Sequence, residues 1–142
     1  MKDILKRLEL LIDQCCYFDC YIIYHINRIP DRGIFAAKPH TDYGAITILA
    51  NDQVDGLQIL HENQWKSVPP VEGAFVVNLG DMLQKWTNGL YKSTMHRVVM
   101  DGEEDRYSIP FFFEPNVHCR VKPVVVREGE GVREEEIVSQ RI

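Results

Sequence analysis

The chain has 142 residues, enough for one domain with a buried core, and at 45% hydrophobic and 26% charged it does not have the composition of a disordered chain. Its formal net charge of −5 argues against a nucleic-acid binder, which needs a basic face. The apolar runs are too short to span a membrane, and Cys15, Cys16, Cys20 and Cys119 form neither a disulfide framework nor a C-x-x-C zinc pattern.

Reduced thiols, with charges mixed into the first residues where a signal peptide would be apolar, give a cytoplasmic protein as the expectation. Ile4, Leu5, Leu8, Leu11 and Ile12 recur at helical spacing, so residues 3–14 are predicted to form an amphipathic helix. Residues 20–26 are aromatic and β-branched and predict a strand, followed by a turn at Pro30-Asp31-Arg32-Gly33. Next comes Pro39-His40-Thr41-Asp42-Tyr43-Gly44 and a strand over 45–50. Short strands are expected at 56–60 and 65–68, the second stopped by Pro69-Pro70. Residues 73–79 are apolar on both faces and predict a central strand. One helical turn is expected up to Trp86, with a turn at Asn88-Gly89. Strands over 93–100 and 106–113, joined by a turn at 101–105, and a last strand near 119–124 complete the count.

That makes about eight short strands after residue 20 with little helix between them. The pattern predicts a mainly β, double-stranded β-helix (jelly roll, cupin-like) with a short N-terminal helix. Three segments are expected: 1–38 as N-terminal helix and first strand, 39–125 as the main domain, and 126–142 as an acidic, solvated tail.

His40 and Asp42 stand at i and i+2, so in an extended strand both side chains leave the same face. His96 lies in a second strand-like run and is the candidate third ligand. Two His and one carboxylate with the opposite side open is the ligand set of non-haem Fe(II) oxygenases, and such a centre leaves room for a chelating 2-oxo acid and O₂. Arg106 and Ser108 again share one strand face, with a planar fork and a hydroxyl suited to the far carboxylate of that acid. If 101–105 is a hairpin turn, residue 96 pairs with about residue 110, and Arg106 lies about 13 Å along the strand from His96.

The stretches HTDYGAITIL, DGLQIL, PPVEGAFVVNLGDMLQKWTNGLYKSTMHRVV and DRYSIPFFFEP resemble the catalytic domain of the isopenicillin-N-synthase-like Fe(II)/2-oxoglutarate-dependent dioxygenases, over residues 39–123. The H-x-D pair, the second His 54 residues beyond Asp42, and the R-x-S pair ten residues after it carry the resemblance. It implies that His40, Asp42 and His96 hold iron. It further implies that Arg106 and Ser108 hold the 2-oxoglutarate C5 carboxylate, with Tyr24 as the tyrosine that relatives carry on the first strand. The implied activity is oxidation of a small molecule (hydroxylation, desaturation or cyclisation) as 2-oxoglutarate becomes succinate and CO₂, with ascorbate as reductant. Such proteins carry a large region ahead of this domain. Here only residues 1–38 precede it, and they do not resemble that region, so a partner or a preceding region is expected to cover the barrel. Two alternatives stand beside this reading: an iron-dependent oxidase without 2-oxoglutarate, and a non-catalytic jelly roll binding a metal or a partner.

Other residues have plainer readings. His25, His61 and His118 are read as structural or exposed, and Asp81 as a turn or cap residue. Trp65, Trp86 and Phe111-Phe112-Phe113 are read as core, with alternate members of the Phe run on opposite faces and lining of the substrate cavity by some of them as the alternative. Tyr43 and Asn78 are balanced between packing and pocket. Gly44, Gly56, Gly73, Gly80 and Gly89 are read as turn positions with positive φ.

Overall fold

The structure, a computed structural model, describes residues 16–20, 24–26, 35–99, 104–115, 120–123, 131 and 137–138. The helix expected over 3–14, the turn at 30–33, Cys15, Cys119 and His118 lie outside the described residues, as does most of the acidic tail.

Short strands with turn residues between them fold as two facing antiparallel sheets. The strands are β1 (Cys16–Cys20), β2 (Tyr24–Ile26), β3 (Phe35–His40), β4 (Ile46–Asn51), β5 (Leu57–His61), β6 (Gln64–Ser67), β7 (Val76–Leu79), β8 (His96–Val99), β9 (Arg106–Pro115), β10 (Arg120–Val121) and β11 (Ile137–Val138). Among the described residues one helix, α1 (Asp81–Trp86), follows β7. The larger sheet has the order β1-β9-β4-β7, with β2 also on β9; the smaller is β3-β8-β5-β6. A two-stranded piece, β10-β11, pairs part of the segment expected to be solvated.

The hairpin between β8 and β9 does not form. β8 pairs with β3 and β5, whereas β9 pairs with β1, β2 and β4, so the chain crosses from one sheet to the other between them. His96 therefore stands opposite His40 and Ile59, and the register that set it opposite residue 110 is wrong. Crossing between sheets is what lets Arg106 face the metal-ligand candidates across the sandwich instead of along one strand.

β7 is also not central. It pairs with β4 alone among the described residues, and Phe75 and Val77 are 66% and 58% exposed. Apolar residues on both faces of 73–79 thus mark an uncovered edge, not burial on both sides. Pro110 lies within β9, where a missing N–H would break a ladder. β2 pairs with residues 106–108 and β1 with 111–115, so Pro110 falls in the gap between them.

The apolar core lies under α1. Ala45, Met82, Trp86 and Val121 are buried there against Ile46, Leu83 and Phe113. α1 ends as expected at Asn88-Gly89: both have positive φ, and the Gly89 amide donates to the Gln84 carbonyl at 2.8 Å. Trp65 is not core; its ring stacks under the Arg97 guanidinium at 4.0 Å, and Arg97 Nε donates to Gln58 Oε1. Among the described residues no helix is long and apolar enough to cross a membrane.

Candidate metal centre and cosubstrate pocket

β3 ends on His40 and β8 begins on His96, and the ladder makes them direct partners. Their rings lie 4.3 Å apart, tilted by 55°. Each ring is fixed by its own strand: His40 Nδ1 donates to the Lys38 carbonyl at 2.7 Å, and His96 Nδ1 to the Thr94 carbonyl at 3.0 Å. A carbonyl can only accept, so the proton of each neutral ring sits on Nδ1 and Nε2 keeps its lone pair. Both Nε2 atoms face Asp42 Oδ1, at 3.6 and 3.5 Å. The three ligand atoms lie within 4.8 Å of one another. Lone pairs converging with no proton between them repel, and a cation at their centre reverses that sign, so the donor set fits a divalent metal.

Asp42 is buried, and its other oxygen is occupied. Thr47 Oγ1 and Asn78 Nδ2 both donate to Oδ2, the latter at 2.7 Å. Thr47 and Asn78 are cross-strand partners on β4 and β7. The backbone carrying Asp42 is held from below by the start of α1. The Asp81 amide donates to the Asp42 carbonyl at 2.8 Å and the Met82 amide to the Gly44 carbonyl at 3.0 Å. The Asp81 carboxylate accepts from Thr41 Oγ1 at 3.1 Å, so this residue both begins the helix and braces the loop.

That contact explains two glycines. Gly56, Gly73 and Gly89 have positive φ as expected, but Gly44 and Gly80 do not. A Cβ on Gly80 would overlap the Gly44 carbonyl oxygen, and one on Gly44 would stand 2.9 Å from Glu114 Cγ. Both glycines are set by close approach, not by a turn.

Across the sandwich, β9 turns Arg106, Ser108, Pro110 and Phe112 inward, so of the Phe run only Phe112 faces the cavity. The two sheets enclose a cavity of about 140 Å³ that His40, Asp42, His96, Arg106 and Ser108 all line. Arg106 is 2% exposed, Nη1 donates to Ser108 Oγ at 3.2 Å, and Nε has no partner among the described residues. Burial lowers the Arg106 pKa from its ordinary value, with the Asp52 carboxylate working against that shift. A buried guanidinium with an unspent donor, on the wall of a cavity and without an ion pair among the described residues, fits an anionic ligand. Tyr24 is the register partner of Ser108 on β2. His61 is exposed beside Glu62, away from the cavity.

Residues 14–115 match the 2OG-Fe(II) oxygenase superfamily. The chain belongs to that superfamily. It is 48% identical over 112 residues to gibberellin 20 oxidase 4 of Arabidopsis thaliana, covering 76% of this chain and 30% of that protein. It also resembles a full-length Neurospora crassa protein solved in complex with alpha-KG, at 38% identity and TM-score 0.66, over 72% of this chain and 37% of that one. A dioxygenase for auxin oxidation from rice matches at 30% identity and TM-score 0.75, over 87% and 43%. The chain thus spans about a third of the length of the curated relative, and less than half of either solved protein. The mainly β jelly-roll fold is the one these oxygenases share.

One residue of the site, Thr47, is not evident from the sequence pattern, whereas Asn78, balanced there between packing and pocket, lines the cavity. A threonine in an alternating β run is ordinary, so Thr47 gives no signal there. Asn78 carries the better signal, as the one polar side chain in Val76-Val77-Asn78-Leu79.

Proposed function

We propose that this chain is the catalytic portion, centred on residues 39–125, of a dioxygenase that oxidises a small molecule with Fe(II), 2-oxoglutarate and O₂. His40, Asp42 and His96 would hold the iron on one side. Arg106 and Ser108 would hold the C5 carboxylate of 2-oxoglutarate, with Tyr24 opposite Ser108 in the ladder. When bound, the iron would let O₂ act as the oxidant, with 2-oxoglutarate giving up two electrons as it becomes succinate and CO₂ and the small molecule giving up the other two.

The chain's own residues have the remaining tasks. His40 and His96 present neutral Nε2 atoms because Lys38 and Thr94 keep the protons on Nδ1. Asp42 contributes the one negative charge. Arg106 neutralises the distant carboxylate and sets the direction in which the acid enters. The apolar walls from Leu49, Leu57, Ile59 and Val98 keep water away from the reacting atoms. The relatives' names speak of a gibberellin and of auxin, two different small molecules, so the shared element is small-molecule oxidation and not one substrate. We further propose a cytoplasmic setting with ascorbate as reductant, no nucleic-acid or membrane partner, and a partner or preceding region over the barrel.

The single observation that carries the proposal is Arg106, buried with an unspent donor on the wall of the cavity that holds the His/Asp/His cluster. Incubating the chain with Fe(II), ascorbate and labelled 2-oxoglutarate tests it. Release of CO₂ with equimolar succinate, lost in Arg106→Ala, is expected. Folded protein that takes up iron but never consumes 2-oxoglutarate contradicts it.

A further inference from the structure

We propose that the cross-strand pair Thr47 and Asn78 are positioning residues that decide which oxygen of Asp42 meets the metal. The inference rests on the metal-site reading above and extends it to two residues outside the ligand set.

A carboxylate has two equivalent oxygens and can bind an ion through one or both. Here they are not equivalent. Oδ1 faces the two imidazole Nε2 atoms, while Oδ2 accepts hydrogen bonds from Thr47 Oγ1 and Asn78 Nδ2. Rotating the carboxylate, or bringing Oδ2 onto the metal, would strip two hydrogen bonds from a residue only 8% exposed. The pair therefore holds Asp42 to one-oxygen ligation and keeps the other coordination positions clear. Because β4 and β7 pair Thr47 with Asn78 directly, the two donors hold their spacing through backbone bonds, independently of any ligand.

The test is Co(II) titration of the full chain without 2-oxoglutarate, followed by the visible absorption of the bound ion, which reports coordination number. The variants are Thr47→Val, Thr47→Ser and Asn78→Leu. Thr47→Val keeps the shape and removes the hydroxyl; Thr47→Ser keeps the hydroxyl. Removing such partners of a metal ligand typically costs about 10–100-fold in affinity. Thr47→Val and Asn78→Leu should each weaken Co(II) about tenfold or more and change the band intensity as Asp42 turns to offer both oxygens. Thr47→Ser should keep wild-type affinity within about twofold and the wild-type spectrum. Two results overturn the inference while leaving the metal site standing. One is wild-type affinity and spectrum in Thr47→Val and Asn78→Leu. The other is an equal loss in Thr47→Ser and Thr47→Val, which would assign the effect to packing. A wild-type chain that binds no Co(II) overturns both readings together.

Discussion

The two faces of the larger sheet depart from the usual distribution of polar and apolar residues. Its inner face buries Thr47, Arg106 and Ser108 around a cavity. Its outer face carries Ile46 and Phe113 under α1, but leaves Ile48, Val77 and Ile109 at 36%, 58% and 47% exposed. Residues one position apart on β4 and β9 thus obey opposite rules. Burying polar groups lowers stability unless they are satisfied, and the only unsatisfied donor on the inner wall of this sheet, among the described residues, is the one suited to a ligand's carboxylate. The inner face turns its polar groups toward a cavity, and among the described residues the outer face is buried where α1 reaches it.

The contrast can be broken most severely at the ligand set. His96→Ala should weaken Fe(II) by more than about 100-fold, beyond the range reached by losing a hydrogen-bond partner of a ligand. Its circular dichroism should stay that of the wild type, because the side chain supports no core. Equilibrium dialysis with spectra of the same samples checks both halves.

Arg106→Met separates the ligand role from the structural one. Losing charge-assisted hydrogen bonds should weaken 2-oxoglutarate about 100-fold, or about 3 kcal/mol. The ligand-free chain should become more stable, by about 1 kcal/mol or more, because a buried charge with no ion pair among the described residues has been removed. Calorimetry with and without 2-oxoglutarate measures the two effects. A lower midpoint for ligand-free Arg106→Met would mean that the inner face is structural after all.

Gly80→Ala tests the brace beneath the metal loop. The added methyl group runs into the Gly44 carbonyl oxygen, so α1 or the loop must move. A loss of about 2–3 kcal/mol in urea unfolding is expected. The smallest effects belong to the outer face: Val77→Thr and Ile109→Thr should each change stability by no more than about 0.5 kcal/mol. A larger loss would mean that these side chains are packed.

Much of the site was legible because its groups come in i, i+2 pairs. His40 with Asp42, and Arg106 with Ser108, need only an extended backbone to share a face, and both pairs line one cavity. What was not legible depended on which strand lies beside which. A turn-like stretch at 101–105 suggests a hairpin because turn chemistry is local, yet β8 and β9 belong to different sheets. An apolar run at 73–79 suggests a central strand because periodicity reports what a strand could bury, not whether anything covers it. Thr47 became visible only once the β4–β7 register set it beside Asn78. Gly80 looked like a turn residue because its true constraint, the Gly44 carbonyl, is 36 positions away.

The central claim is that one ion and one 2-oxo acid occupy the same chamber, gripped from opposite sheets. Anaerobic titration of the chain with Fe(II) in the presence of 2-oxoglutarate tests it most directly. A weak visible charge-transfer band that appears only when both are present, saturates at one equivalent of iron and disappears in His96→Ala is the predicted result. A folded chain that takes up iron and 2-oxoglutarate without developing the band would contradict the claim.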